Sequence, residues 1–114
     1  MSGATPPIGS LRERLQLLSR TLVAETEGGH GALYVPIATV WGRVHERGYA
    51  GFSAIADARA ARTTHIVTLR HRSDLSPGDR IVYRGRNLEI VQANDLNGRR
   101  AYLSCACAEI RTTG

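Results

Sequence analysis

The chain has 114 residues, of which 42% are hydrophobic and 22% are charged, and its formal net charge is +5. This length and balance are typical of one globular domain that buries its own core. No apolar run approaches the ~20 residues of a membrane-spanning helix, so we expect a cytosolic protein with no membrane partner.

The first eight residues, MSGATPPI, predict a loose N-terminal arm. The next segment, GSLRERLQLLSRTL at 9–22, fits two structures. Ser10 and Glu13 have the spacing of a capping box, and four leucines follow at helical intervals, which predicts a helix. In an extended chain the side chains would instead alternate between two faces. The apolar face would hold Leu11, Leu15 and Leu17, and the polar face Arg12, Arg14 and Gln16.

Residues 27–31, EGGHG, predict a turn or loop because paired glycines free the backbone. The segment 32–47 then alternates between apolar and polar residues, which predicts a strand. One face would hold Ala38, Val40, Gly42 and Val44, and the other Thr39, Trp41, Arg43 and His45. Because Pro36 lacks an N–H, we expect it before the paired part of this strand or at a sheet edge.

Residues 48–62, GYAGFSAIADARAAR, break this alternation and predict a long insertion. Its alanine-rich part could form a short helix that begins at Ser53. Loops of this length are often functional, and its large apolar side chains would need a partner if they were exposed. The candidate binding residues of the insertion are Tyr49, Phe52, Ile55, Arg59 and Arg62.

From residue 63 onward the sequence predicts a meander of short strands, which is typical of a small barrel or sandwich. The predicted strands are 63–72, two strands within 80–93 around a turn at 84–86, and 101–110. Pro77–Gly78 and Asn97–Gly98 predict the remaining turns.

Such a meander needs a partner for its open edges, which favours a strand over a helix for 9–22. Glu13 then interrupts the inward face. Leu18 and Leu22 remain unexplained and are assigned to a bulge.

The cysteines and histidines do not predict a metal site. Cys105 and Cys107 would share one face of the last strand, and two ligands are too few for zinc, so we expect buried thiols. His65 and His71 would lie about 20 Å apart along one strand. We expect exposed histidines, with no metal ion and no cofactor; His30 and His45 complete the set.

The sequence also lacks the motifs of the common enzyme classes. It has no G-x-S-x-G elbow, no phosphate-binding loop and no paired carboxylates. We therefore expect a protein that is not an enzyme.

The basic charge is concentrated in the middle of the chain. All fifteen basic residues are arginines, and between Arg43 and Arg72 six arginines face only two acids. The positive electrostatic field of these arginines suits binding to a polyanion or an acidic protein surface, and a simple solvated surface fits equally well.

Trp41 beside Arg43 is a candidate subunit interface, or Trp41 covers a second small core. Arg84 and Arg86 are further interface candidates.

The order of these segments resembles a known family over residues 9–110. LRERLQL, a glycine-rich loop, ATVWGRV, a long loop, THIVTLRHR, LSPGDRIVYRGRNLEIVQA and NGRRAYLSCACAE follow one another as in the head–tail adaptor proteins of tailed bacteriophages. These are also called head-completion, head-closure or stopper proteins, and phage-like gene transfer agents contain related proteins.

The resemblance implies an all-β fold: a small antiparallel barrel over 9–110 that begins with a strand, with the insertion 48–62 between its second and third main strands and a short tail at 111–114. It implies a ring of identical subunits between the portal or adaptor ring and a tail or tail-terminator protein. Double-stranded DNA would pass through this ring, and the insertion would help to close the channel. The particle would be a virion or gene transfer agent, assembled in the bacterial cytoplasm. The alternative is a small basic nucleic-acid-binding barrel that acts as a soluble monomer.

Overall fold

A computed structural model of the protein describes residues 11–24, 30–47 and 63–110. These residues form six β-strands and one short 3-10 helix, Leu96–Gly98. The strands are β1 Glu13–Ala24, β2 His30–Glu46, β3 His65–Arg70, β4 Arg80–Tyr83, β5 Arg86–Asp95 and β6 Tyr102–Ile110. The prediction of an all-β chain is confirmed. Within the described ranges, no helix has the length and hydrophobicity to cross a membrane.

The six strands form a closed antiparallel barrel in the order β1-β2-β3-β6-β5-β4. The barrel closes where β4 pairs with β1 over Leu15–Leu18. This confirms the predicted small barrel. The predicted N-terminal arm at 1–8, the insertion 48–62 and the tail 111–114 lie outside the described residues, as do 9–10 and 25–29.

The segment that fitted both helix and strand is strand β1. Leu15 and Leu17 are fully buried, whereas Arg14 and Gln16 are exposed, as the strand prediction requires. Leu11 is half-buried just before the strand. Burying a leucine stabilises the fold by about 1.5–3 kcal/mol, so the paired leucines outweigh the local capping signal.

Glu13, which interrupted the inward face in the sequence, is the first residue of β1. Its carboxylate accepts two hydrogen bonds from the Arg84 guanidinium, at 2.8 Å and 3.1 Å. The charge therefore sits at the rim of the barrel, where a partner reaches it, and the inward face below it stays apolar.

A β-bulge separates the barrel part of the first two strands from a hairpin beyond it. Leu17 pairs with Ala38 but Leu18 pairs with Pro36, so Ile37 is the extra residue. Residues 18–24 and 30–37 continue as a two-stranded ribbon, which we call the arm. Leu18 lies at the bulge as expected, but Leu22 is 61% exposed on the arm and packs at no bulge. His30 and Gly31, predicted as loop, belong to β2.

The strand register gives the barrel two different ends. At the arm end are the arm itself and the connections 71–79 and 96–101. At the other end, Glu46 pairs with His65 and Asn87 pairs with Ile110, and the β4–β5 turn at Arg84–Gly85 lies beside Glu13. The insertion 48–62 connects β2 to β3 at this second end, which we call the insertion end.

His65 corrects the expectation of exposed histidines. It is 1% exposed, and its imidazole packs edge-on against Tyr83 at a centroid distance of 6.1 Å. Its Nδ1 lies 2.8 Å from the Thr64 hydroxyl, which anchors the start of β3. His65 faces inward with Val67 and Leu69, so its period-2 position places it in the barrel interior. Among the described residues, no group of three metal-binding side chains occurs.

Gly42 lies where the backbone of β2 packs closely against the core and the neighbouring strand. A Cβ atom there would lie 2.5 Å from Leu15 Cδ1 and 2.9 Å from the Thr68 carbonyl oxygen. Leu15 is fully buried and the carbonyl belongs to the neighbouring strand, so neither atom has room to withdraw.

Gly42→Ala should lower the free energy of unfolding by about 1–3 kcal/mol, because overpacking forces strands apart. Urea unfolding measures this effect. Thr39→Ala, on the exposed face of the same strand, is the matched control and should change stability by less than about 0.5 kcal/mol. Equal stabilities for Gly42→Ala and the parent would contradict the close packing.

The two cysteines confirm the prediction of buried thiols. Cys105 and Cys107 are both free and fully buried on the inward face of β6. Burial raises the pKa of Cys105 from 9.0 to about 12, and burial together with the neighbouring Cys105 raises the pKa of Cys107 further. A raised pKa means that the folded state keeps a proton which the unfolded chain releases.

The stability contributed by these thiols is full below about pH 9.0 and is lost as the pH rises toward about 12. Urea unfolding across this range should therefore show a decline that is smaller in the double variant Cys105→Ala/Cys107→Ala. An identical decline in the parent and the double variant would contradict the role of the thiols.

Candidate assembly surfaces

The exposed large apolar side chains of the described residues all lie on β1 and β2. Five belong to the arm and the sixth is close by on β2. Their exposed fractions run from 38% to 61%: Leu22, Val23, Leu33, Val35, Ile37 and Trp41. The register places Leu22 on one face of the arm and Val23, Leu33 and Val35 on the other. Large exposed apolar side chains concentrated on one element mark an interaction site. The arm is therefore the first candidate assembly surface.

Asp79 fastens the arm to the barrel. Its carboxylate is almost fully buried and accepts hydrogen bonds from the backbone N–H groups of Arg20 and Ser76, both at 2.9 Å. The Asp79 carbonyl accepts a hydrogen bond from the Ile90 N–H at 2.8 Å. One residue thus ties the first residues of the arm, the 71–79 connection and β5 together.

Arg80 braces the other strand of the arm. Its guanidinium lies 3.8 Å from the ring centroid of Tyr34, a cation–π contact. Arg80 is also the residue of β4 that pairs with Leu18, the last β1 residue in the barrel seam. Asp79 and Arg80 therefore support both strands where the arm leaves the barrel.

The outer side of β1, β2 and β3 within the barrel is basic, and we call this surface the outer wall. It holds Arg14, Trp41, Arg43 and Arg70, all exposed. Trp41 is 58% exposed and pairs in register with Arg14. The outward side chains of these strands within the barrel include no acid among the described residues. Trp41 thus lies at the surface of the described residues, and its role in a subunit interface stays a prediction.

A cleft of about 280 Å³ lies beside Trp41, where β2 and β3 diverge. Its lining includes Leu11, Val40 and Trp41 on one side and Arg70 and His71 on the other. The cleft is therefore lined by both apolar and basic side chains.

The other two predicted interface residues lie elsewhere, at the insertion end. Arg84 donates hydrogen bonds from Nε and Nη2 to the Glu13 carboxylate, and this hydrogen bonding raises the pKa of Arg84. Arg86 lies 3.8 Å from Glu46 and 3.9 Å from Glu109. These arginines contact acids of their own chain, so their charge is partly compensated. Trp41 and Arg43 belong to the outer wall, and the four residues do not form one surface.

The remaining candidates, Tyr49, Phe52, Ile55, Arg59 and Arg62, lie outside the described residues. The register still fixes where their segment attaches. Arg47 donates a backbone hydrogen bond to the Thr64 carbonyl at 2.8 Å, so the two ends of the insertion leave the barrel side by side.

Sequence reasoning missed the arm and Asp79. The available signal for the arm was the apolar run ALYVPI, which does not alternate regularly between apolar and polar residues. Asp79 directly follows the predicted turn at Pro77–Gly78, which gives it no sign of a further role. Its long-range bond to Arg20, 59 residues away, has no sequence signal.

Asp79→Ala should destabilise the protein by about 1–3 kcal/mol, since it leaves two backbone donors without their acceptor. It should also speed amide exchange in the arm, which hydrogen-exchange mass spectrometry detects. Asp74→Ala is the matched control: it breaks an exposed ion pair with Arg72 and should cost about 0–1 kcal/mol. Similar losses for both variants would contradict the fastening role of Asp79.

Two solved structures are similar to the chain over most of its length. A protein from Shigella flexneri 2a, determined in solution, aligns with a TM-score of 0.66 and 25% identity over 90% of this chain and 95% of that one. A chain in the virion of a native gene transfer agent particle aligns with a TM-score of 0.61 and 22% identity over 88% of this chain and 96% of that one. No curated protein has significant sequence similarity to the chain.

These two similarities show the fold, and a sequence-family comparison shows the family. The family described as phage head completion protein matches residues 6–110, which includes the whole described barrel. This confirms the resemblance found in the order of the segments. The chain belongs to the phage head completion protein family.

Proposed function

We propose that the chain is a connector subunit that forms a ring between the portal or adaptor ring and the tail of a phage-type particle. Family membership gives it a structural role in such a particle. The observation that supports a ring is the concentration of exposed apolar side chains on the arm and beside it. A monomer would leave this surface in water at a cost, whereas a neighbouring subunit would cover it.

The two ends of the barrel suit two different neighbours along the particle axis. The insertion 48–62 leaves at one end, and the arm leaves at the other. In our proposal the insertion points into the channel and helps to close it. Arg59 and Arg62 then meet the phosphates of double-stranded DNA without reading its sequence.

The outer wall supplies a contact with a protein partner. Arginine and tryptophan are favoured at the centres of interfaces, and arginine pairs readily with carboxylates. We infer that Trp41 and Arg43 meet an acidic surface of the portal or adaptor ring, or of a tail or tail-terminator protein. The work of the subunit is docking and gating, without catalysis or a cofactor. Its place is the virion or gene transfer agent particle, after assembly in the bacterial cytoplasm.

Deleting residues 50–60 tests the channel role directly. Because the insertion leaves the barrel through adjacent strand ends, the shortened chain should keep the thermal unfolding midpoint of the parent. Particles that contain it should leak DNA or lack tails, as seen by nuclease sensitivity and electron microscopy. Particles with normal DNA retention and a normal infection or transfer titre would contradict the channel role.

A monomeric nucleic-acid-binding barrel is the second candidate, and the arginines of the outer wall favour it. It predicts salt-sensitive binding of the isolated chain to oligonucleotides. The connector instead predicts that the isolated chain binds a portal complex or forms rings. If the isolated chain is a monomer that binds oligonucleotides tightly, and particles do not contain it, our proposal is contradicted and the second candidate is supported.

A further inference from the structure

Both edges of the arm lack a partner strand among the described residues. β1 pairs with β4 only over Leu15–Leu18, and β2 pairs with β3 only from Gly42 onward. Beyond these limits, β1 and β2 pair only with each other. We call the outward sides of residues 19–24 and 30–37 the open edges. A two-stranded ribbon is marginally stable by itself, and an open edge is a template for another strand.

The hydrogen bond between Arg20 and Asp79 fixes which backbone groups face outward. The Arg20 N–H points away from β2, toward Asp79. Because direction alternates along a strand, the N–H and C=O of Leu22 also point away from β2. Leu22 pairs in register with Ala32, so the backbone groups of Ala32 point outward from the opposite edge. Each edge of the arm therefore offers donors and acceptors to a new strand.

Pro36 and Asp79 limit these edges at the bottom of the arm. The backbone of Pro36 points outward like that of Ala32, but proline has no N–H to donate to a new strand. On the other edge, the N–H of Arg20 already donates its hydrogen bond to Asp79. Nothing comparable protects the edge at Leu22 or Ala32 among the described residues. The upper part of the arm is thus the part available for pairing.

The exposed side chains add apolar contact on both faces of the ribbon. The register places Leu22 on the face of Ala32, and Val23 and Leu33 on the opposite face. These three side chains are 44–61% exposed. A strand that pairs with either edge would therefore contact apolar side chains as well as form backbone hydrogen bonds.

We propose that the open edge of β1 in one copy pairs with the open edge of β2 in the next copy, so that the arms form one continuous antiparallel sheet around the ring. This rests on the proposed ring. A rotation about the ring axis keeps all arms pointing the same way. It therefore sets an ascending β1 beside a descending β2, which is the antiparallel arrangement.

The composition of the arm fits a second copy as the occupant. Its described residues carry one arginine, one histidine and no acid, so like charges do not oppose self-association. The two edges lie on opposite sides of the same ribbon, which makes the contact head-to-tail and allows the ring to close. The cleft at Val40 and Trp41 adjoins the open edge of β2, where it would receive side chains of the incoming copy.

Ala32→Pro tests the backbone pairing. It removes an outward N–H, which the isolated arm does not use, so the barrel should fold with the parent's circular dichroism spectrum. Oligomers detected by sedimentation velocity should be lost. Ala32→Ser keeps the N–H and is the matched control, which should assemble like the parent.

Leu33→Glu tests the apolar face of the arm independently and should also abolish assembly. Its control, Gln92→Glu on the exposed face of β5, should assemble like the parent.

Cysteine cross-linking tests the head-to-tail geometry. Thr21→Cys and Leu33→Cys, made separately and tagged differently, place thiols on the same face of the two strands. After mixing and assembly, a short bismaleimide should join one variant to the other far more than either variant to itself. Gln92→Cys is the background control. Predominant Thr21→Cys pairs would show a symmetric contact and overturn the proposal, as would links at background level.

Particle assembly separates this proposal from the one it rests on. Particles that need the chain but accept Leu33→Glu and Ala32→Pro at the parent's level would overturn the arm pairing and leave the connector role intact. Particles that form normally without the chain would overturn the connector role itself.

Discussion

The structure depends on how far β1 is paired on both of its edges. From Leu15 to Leu18 it lies between β2 and β4, and this short seam closes the barrel. Leu15 and Leu17 are fully buried there. Beyond the seam, β1 and β2 continue together as the arm. The same two strands therefore close the barrel and extend beyond it, and the bulge at Ile37 marks the boundary between the barrel part and the arm.

The transition between barrel and arm is held by polar contacts. Asp79 binds the Arg20 N–H at the point where β4 stops, and Arg80 stacks on Tyr34 from the same segment. The arm is thus directed by the barrel and still presents large apolar side chains to its surroundings. A rigid base with an unfinished edge suits a subunit that is completed by assembly, which agrees with membership of the phage head completion family.

Sequence patterns predicted a meander of strands, as a barrel or a sandwich, because its inward face is regular, and the family resemblance implied the barrel. Alternation identified Ala38, Val40, Gly42 and Val44 as the inner face of β2, and the spacing of the thiols placed both inside. Alternation puts His65 on the apolar face of Val67 and Leu69, but the general exposure of histidines on strands outweighed this signal in the prediction. The patterns did not predict the arm, because strand length beyond the seam depends on which neighbours end first. The role of Asp79 arises from a contact across 59 residues. Residues Tyr49 to Arg62 lie outside the described structure, so their roles stay predictions.

The central claim is that the arm is completed by a neighbouring copy. Residue-resolved amide hydrogen exchange of the free chain and of the assembled ring tests it most directly. The amides of Leu22 and Ala32 should exchange fast in the free chain and slowly in the ring, while the Arg20 amide, bonded to Asp79, should be protected in both. Fast exchange of Leu22 and Ala32 in an assembled ring would contradict the claim.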